Sequence, residues 1–337
     1  MAGGKNSSNS ILILVTPHFN LTATTAFLDP FRAANYLTGR TLFRWQITSI
    51  AGGEMPASNG LTVATQALSD VTKDPSDICV ISSSWAPEAH QTRDMVTAIR
   101  RLATSSAWIG ALDTGAFLLA AAGLLTGKTA TVHYEHIDAL TELYPDVTVT
   151  GNLFEIYGRF FSCCGGVASV DLALHLLRDI EGEGLANAAA RYLFHHTVRG
   201  QDASQNPPLI EPYGRSTPAL VRQAVDLMEA NLEEPLSIPD LCSRLGRSQR
   251  HLSRLFSKYV GQSPVLYYRD IRLDRARGLV TQTDMKLSEV AVASGFSNQV
   301  HFSRSYREKF GLSPTQDRID GRVPFEFRAW PMHSPRR

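Results

Sequence analysis

The chain has 337 residues, too many for one ordinary hydrophobic core, so about two domains are expected. A hydrophobic share of 43%, a charged share of 19% and a net charge of +1 are those of a soluble globular protein. The longest apolar run near the N-terminus, residues 11–15, falls far short of the roughly 18 residues of a membrane span, so a cytoplasmic protein with no membrane partner is expected. Cys79, Cys163, Cys164 and Cys242 are too few and scattered for a disulfide framework, and none sits at metal-ligand spacing with a histidine. Neither a metal nor a cofactor is expected.

In chain order, residues 1–10 are small and polar and read as a disordered tail. From Ile11 to about Arg199, apolar or β-branched runs at 11–15, 45–50, 78–81, 107–112 and 160–163 read as strands. Helix-like stretches at 24–36, 90–103, 116–122 and 170–180 alternate with them. That alternation predicts a mostly parallel α/β sandwich over residues 11–199. Residues 200–216 read as a linker, because 201–218 carries four prolines and no periodicity. Residues 217–318 read as all helix, and 319–337 form a tail with no assignment.

Charge divides at the same place. Residues 1–215 hold 14 Lys+Arg and 19 Asp+Glu, whereas 216–337 hold 19 and 13. A basic C-terminal segment fits a polyanion partner.

That segment contains the same unit twice. Ile238, Leu241, Cys242, Leu245 and Gly246 correspond to Leu287, Val290, Ala291, Ser294 and Gly295. After a turn one residue longer in the second copy, Ser248-Gln249 corresponds to Asn298-Gln299, and His251-Leu252-Ser253-Arg254 to His301-Phe302-Ser303-Arg304. Apolar spacing of i, i+3, i+4, i+7 defines a short first helix, and a glycine permits the positive φ that ends it. Ser248 or Ser297 is placed to cap a second helix. Its buried side is Leu252, Leu255, Phe256 and Tyr259 in one copy, and Phe302, Tyr306 and Phe310 in the other. Two helix-turn-helix units are therefore predicted at 238–259 and 287–310.

The second helices leave Gln249, Arg250, Ser253, Arg254 and Ser257 facing outward in the first unit. In the second they leave Asn298, Gln299, Ser303, Arg304 and Arg307. Arginine pairs with guanine, Asn and Gln with adenine, and Ser with either, so these are candidate base readers. Arg247, Lys258, Arg269 and Lys309 are candidate phosphate contacts. An ordinary helical domain also has polar basic faces; the duplication is what separates the two readings.

The segment 217–318 resembles the DNA-binding domain of the AraC/XylS regulators. The resemblance rests on Arg272-Leu273, Ala276-Arg277, Gly295-Phe296-Ser297, His301-Phe302-Ser303-Arg304 and Phe310-Gly311-Leu312-Ser313-Pro314. It implies two recognition helices in successive major grooves of promoter DNA, with RNA polymerase as a further partner.

In the N-terminal segment, 107–127 reads as a strand, a sharp turn at Asp113-Thr114-Gly115 and a helix. This geometry lifts one side chain to the top of a sheet, beside helix N-terminal amides. Residues 11–199 resemble the PfpI-like, class I glutamine amidotransferase-like superfamily with a flavodoxin-like sandwich. The match rests on Asp29-Pro30-Phe31-Arg32-Ala33-Ala34-Asn35, Gly123-Leu124-Leu125 with Gly127, Ala130-Thr131-Val132-His133, and Gly165-Gly166 with Asp171.

In that superfamily the elbow holds a catalytic cysteine, whereas here it holds Asp113. A carboxylate cannot do thiolate chemistry, so no enzyme and no catalytic residue is expected. A PfpI-like hydrolase or amidase joined to a DNA-binding domain is the alternative, and an architectural DNA binder a third. The resemblance extends to the subgroup that fuses this domain to an AraC-type tail, whose members respond to glycine betaine, carnitine or arginine.

Asp113 can bind a cation, and a pocket of Asp113, Thr114, Trp85, Phe117, His133 and Tyr134 would suit a quaternary amine or basic amino acid. The simpler alternative is that Asp113 caps the helix beginning at 115 and the aromatics are core. Cys163-Cys164 reads as buried filler, His195-His196 as neighbours on different helix faces, and Asp171 as a helix cap or anchor. The sequence thus predicts a ligand-responsive transcriptional activator, dimeric through its N-terminal domain.

Overall fold

Apolar runs that are too short for helices and covered on both sides become a parallel sheet. The computed structural model describes residues 8–71, 75–205 and 218–320, which divide into two units after Gln205. The first contains β1 (Asn9–Val15), α1 (Leu21–Thr38), β2 (Phe43–Ser49), β3 (Gly53–Pro56), β4 (Thr62–Ala67), α2 (Leu68–Val71), β5 (Ile78–Ser83) and α3 (Arg93–Ser105). It continues with β6 (Trp108–Asp113), α4 (Gly115–Ala121), β7 (Thr129–Thr131), α5 (Ile137–Leu143), β8 (Thr148–Thr150), β9 (Phe154–Tyr157), β10 (Phe160–Cys163), α6 (Ala168–Glu181) and α7 (Glu183–Tyr192).

Eight strands pair in the order β3-β4-β2-β1-β5-β6-β10-β9, and only the edge strands β3 and β9 run antiparallel to their neighbours. β7 and β8 form a separate parallel pair. Alternate residues of β1 go to opposite sides. Ile11, Ile13 and Val15 meet Phe27, Phe31, Leu172 and Leu176, whereas Leu12 and Leu14 meet Ile99, Leu102, Phe117 and Leu118. With helices on both faces, all of β5 and all but the first residue or two of β1, β6 and β10 are buried, which is why they read as unbroken apolar runs.

Two boundaries differ from the sequence expectation. Asn9 and Ser10, assigned to the tail, already belong to β1, in register with Phe43 and Arg44 of β2; residues 1–7 lie outside the described part. Residues 200–205, assigned to the linker, are fastened to the sheet unit. Leu153 N donates to Ala203 O at 2.7 Å and Gln205 N to Gly151 O at 2.8 Å. The Gln205 amide also donates to Thr131 Oγ1, Val132 O and Asn152 O, each at 2.9 Å. Backbone groups that find partners this way are not free chain. The rest of the expected linker lies outside the described residues.

Asp171, expected to cap or anchor the helix that begins near it, does neither for α6, whose N-cap is Val167 without a side-chain cap bond; it anchors a later segment instead. Fully buried on α6, it accepts from His195 Nε2 at 2.7 Å, from Arg199 N at 2.8 Å and from Arg199 Nε at 2.9 Å, holding the segment after α7 in place.

The second unit contains α8 (Ala219–Glu229), α9 (Ile238–Arg244), α10 (Gln249–Tyr259), α11 (Pro264–Gln282), α12 (Leu287–Ala293), α13 (Gln299–Phe310) and α14 (Pro314–Asp320). The tail expected over 319–337 therefore begins inside α14, and 321–337 lie outside the described residues. Two small cores result. Leu241, Leu252, Phe256 and Tyr268 make one, and Leu273, Leu279, Val290, Phe302 and Tyr306 the other, with α11 feeding both.

At the junction stands Arg272. Its guanidinium lies over the rings of Tyr268 and Phe296, 5.6 and 4.7 Å from their centroids, and donates to Gly295 O at 2.8 Å. Burial lowers its pKa from the ordinary guanidinium value. In the second core, buried Asp317 accepts from Arg277 Nε at 2.8 Å and from the Tyr306 hydroxyl at 2.7 Å.

Candidate functional site: a doubled helical face and a buried acid at the elbow

Both helix-turn-helix units form with the boundaries that the repeat implies. α9 and α10 are joined through residues 245–248, and α12 and α13 through the longer turn 294–298. Gly246 and Gly295 take φ of 63° and 72°, which breaks the first helix of each pair. Ser248 Oγ accepts from His251 N at 3.3 Å and so caps α10. In the second unit the cap is not Ser297. Asn298 Oδ1 accepts from Val300 N at 2.7 Å and His301 N at 3.4 Å, so Asn298, expected as a base reader, uses its carbonyl to start α13 and keeps only its amide for other contacts.

Leu252 and Phe256 on α10 and Phe302 and Tyr306 on α13 are fully buried, which turns the opposite faces outward. Arg247, Gln249, Arg250, Ser253, Arg254 and Lys258 are exposed, as are Asn298, Gln299, Arg304 and Arg307; Ser303 is half-buried. Among the described residues, Arg247, Arg250, Arg254, Lys258 and Arg307 have no carboxylate within ion-pair distance. Arg304 pairs with Glu308 at 3.0 Å.

Two expected phosphate contacts are otherwise engaged. Lys309 Nζ bonds Asp270 O and Asp274 Oδ1 on α11, both at 2.6 Å, and Arg269, itself on α11, pairs with its neighbour Asp270 at 3.3 Å while staying partly exposed. One exposed position on the same face was not singled out: Val300, 77% exposed, occupies the position in α13 that Arg250 holds in α10, and its apolar character hid it from a search for polar side chains.

In the first unit, Asp113 ends β6 with φ 56°, a left-handed conformation that a non-glycine residue holds only when its surroundings impose it. The cause is close packing on both sides. A Cβ on Gly115 would lie 2.2 Å from Ile81 O, and a Cβ on Gly165 would lie 2.9 Å from Asp113 Cβ. The strand-to-helix turn closes only because both positions are glycine.

The carboxylate does not cap α4; Thr114 is the N-cap residue, without a side-chain cap bond. Asp113 Oδ2 instead accepts from Asn20 Nδ2 at 2.7 Å and Ser84 Oγ at 3.2 Å. Asn20 is shared, because its Oδ1 caps α1 by accepting from Ala23 N at 3.0 Å. Asp113 is 4% exposed, and burial raises its pKa, against the opposing influence of His133 and of the two hydrogen bonds.

The acid therefore sits at the carboxyl ends of β1, β5 and β6, the edge where open α/β sheets bind ligands. Hydroxyls line that edge: Thr16 Oγ1 donates to Ser83 Oγ at 2.9 Å, and Thr24 and Ser82 are 2.8 Å apart. His18 and Ala86, in the loops after β1 and β5, also have positive φ, of 59° and 48°. Three of the four non-glycine residues with positive φ among the described residues thus lie on one rim, the fourth being Phe194 after α7.

Of the residues expected around Asp113, some are near it and one is not. Thr114 is buried and donates to Ser84 O at 2.5 Å, and His133 is close enough to act on the Asp113 charge. Trp85 follows Ser84 and is half-buried. Tyr134 is 60% exposed, with its ring 4.5 Å from that of His133. Phe117 lies in the hydrophobic core between the rings of His136 and Tyr144, so it lines no pocket for a ligand.

Asn20, Ser84 and Gly165 were missed as partners of the acid, because they are far from it in sequence. The four cysteines are free and buried. Burial pushes Cys79 up to about 12, and the contact with Cys163 together with burial pushes Cys164 up as well, so neither offers a thiolate.

A doubly wound α/β domain with an elbow at its carboxyl edge, followed by two helix-turn-helix units on a shared helix, defines a helix-turn-helix transcriptional regulator with a PfpI-like domain. Comparison with known proteins agrees. Residues 9–178 match the DJ-1/PfpI family and residues 241–319 a helix-turn-helix domain. The chain is 37% identical to the HTH-type transcriptional regulator GbdR of Pseudomonas aeruginosa over 92% of its own length and 84% of that protein. It is 36% identical to the HTH-type transcriptional regulator CdhR of the same organism, over 92% of each chain.

A crystal structure of an AraC family transcriptional regulator from Pseudomonas putida shares the fold, with a TM-score of 0.50 and 23% identity over 55% of this chain and 99% of that one. The chain belongs to the AraC-type regulators that carry a DJ-1/PfpI domain. Among its described residues no helix is long and apolar enough to cross a membrane.

Proposed function

We propose that this regulator activates transcription in response to a small cationic metabolite, acts as a homodimer, and contacts RNA polymerase from promoter DNA. The observation that carries the DNA-binding part is the pair of equivalent outward faces on α10 and α13, where Arg250, Arg254, Lys258 and Arg307, with Arg247 in the turn before α10, stand without carboxylate partners among the described residues. The 19-residue α11 between them spans about 28 Å. That approaches the roughly 34 Å between successive major grooves on one side of a duplex. Val300 would then meet a thymine methyl where Arg250 meets a polar base edge.

The sensing part rests on Asp113. A buried acid whose charged form is disfavoured gains most from a cation that replaces the lost water. Thr114, His133 and the half-buried Trp85 complete the proposed site, with Tyr134 at its exposed margin. No enzymatic role is assigned, because a carboxyl pushed toward its protonated form is a poor nucleophile.

The test measures binding of the full-length chain to the promoters flanking its own gene, at fixed salt, with and without glycine betaine, carnitine or arginine. Sequence-specific binding that at least one amine shifts, and that Asp113→Asn makes insensitive, is expected. Absence of specific binding overturns the regulator reading. Specific binding that no amine alters overturns the sensing reading alone.

A further inference from the structure

On the same rim as Asp113, the chain turns through a single 3-10 turn, Tyr134–His136, closed by a hydrogen bond from His136 N to His133 O of 2.8 Å. Three residues per turn bring positions i and i+3 to the same side, so His133 and His136 face one another, with ring centroids 6.2 Å apart and planes at 74°. Glu135 joins them. One donor atom from each of His133, Glu135 and His136 lies within 4.8 Å of the other two, and His133 Nδ1 is 3.8 Å from Glu135 Oε2.

We propose that His133, Glu135 and His136 bind a divalent transition-metal ion of the zinc class.

The distances suit it. A tetrahedral ion with bonds of about 2.0–2.2 Å holds its donors about 3.3–3.6 Å apart, so the His133–Glu135 edge closes by a few tenths of an ångström and the edges to His136, which lie within 4.8 Å, by up to about 1.5 Å on binding. The Tyr134 hydroxyl meets Glu135 Oε1 at 3.5 Å, which leaves Oε2 as the oxygen turned toward His133. His136 is fixed by its edge-on contact with Phe117, 6.1 Å between centroids, so one ligand is pre-oriented by the core. Its Nδ1 is enclosed and has no hydrogen-bond partner, an expensive state for a buried polar atom unless something else occupies its surroundings.

Two imidazoles and one carboxylate, without a thiolate, select zinc and its neighbours over the all-oxygen preferences of calcium and magnesium. Three protein donors also leave a coordination position for water or for an incoming ligand atom. This site stands whether or not an amine binds at Asp113.

The experiment strips the full-length chain with a chelator and titrates it with Zn²⁺ against a chromophoric competitor, and with Co²⁺ while recording visible d–d absorption. One equivalent of tight Zn²⁺ and the bands of a low-symmetry, four- or five-coordinate Co²⁺ site are expected. His133→Ala and Glu135→Gln should each weaken binding by at least about tenfold. Both side chains sit at the surface, so these variants keep the fold, which circular dichroism checks; His136→Ala, which opens the core at Phe117, serves only as support. No stoichiometric uptake by the wild type, or undiminished uptake by the folded His133→Ala/Glu135→Gln double variant, overturns the proposal.

Discussion

At the residue scale, Asp113 and Arg254 illustrate opposite uses of a charge. Asp113 is enclosed, and burial lifts its folded pKa above the ordinary 3.8. Folding then favours the protonated acid, so its contribution to stability is full below the unfolded pKa and is lost as pH rises through the raised folded value. Asp113→Asn removes that titration and keeps an oxygen for Asn20 and Ser84, and asparagine tolerates the positive φ. In urea melts, the stability of the variant relative to wild type should therefore rise as pH increases above the ordinary value of 3.8. A difference that does not change with pH would show that burial does not dominate.

Arg254 is exposed, with its guanidinium 3.4 Å from His251 Nδ1. Arg254→Ala should cost about 1–3 kcal/mol of DNA affinity, concentrated on one base pair. Lys258→Ala should weaken all sequences alike and lower the salt slope by about 1. Competition binding with single-base operator variants separates these outcomes.

At the scale of elements, the two helix-turn-helix units share a pattern but differ in surroundings. Gly246 needs its positive φ and has open space beside it. Gly295 needs its positive φ too, but a Cβ there would lie 2.4 Å from Leu232 O and 2.7 Å from Pro235 Cγ. Gly246→Ala should cost about 1 kcal/mol, the strain of the left-handed backbone alone. Gly295→Ala should cost on the order of 3 kcal/mol, because a backbone carbonyl must also move. Denaturant melts of the two variants give the comparison, and equal losses would mean that the 232–235 loop gives way freely.

The repeat made both glycines legible. It did not reveal that one turn is packed against another segment, which depends on neighbours distant in sequence, nor that Asn298 takes over the cap from Ser297, since both residues can cap a helix and their order alone does not choose between them.

At the scale of the whole molecule, the basic C-terminal segment governs how DNA binding responds to salt. If Arg247, Arg250, Arg254, Lys258 and Arg307 meet phosphates or bases, affinity should fall on the order of 10²–10³-fold between about 50 and about 200 mM salt. Fluorescence anisotropy across that range measures it. A flat response would mean that the exposed cations of α10 and α13 do not form the contact surface.

The sequence by itself determined the two-part layout, the central strands β1, β5, β6 and β10, both helix-turn-helix units and the elbow at Asp113. Each is written in local periodicity, in glycines placed where φ must be positive, or in a repeat. Only the tertiary structure decided the short strands β3, β4, β8 and β9, which lack a sustained apolar pattern and form because neighbouring strands offer hydrogen bonds, whereas β7 followed from the family resemblance of 130–133. It also decided which side chains meet. Asn20 and Ser84 reach Asp113 from other strand ends, Phe117 goes to the core, and Lys309 goes to Asp274. Contacts of long sequence separation arise from packing the sheet and helices together, and no local pattern encodes them.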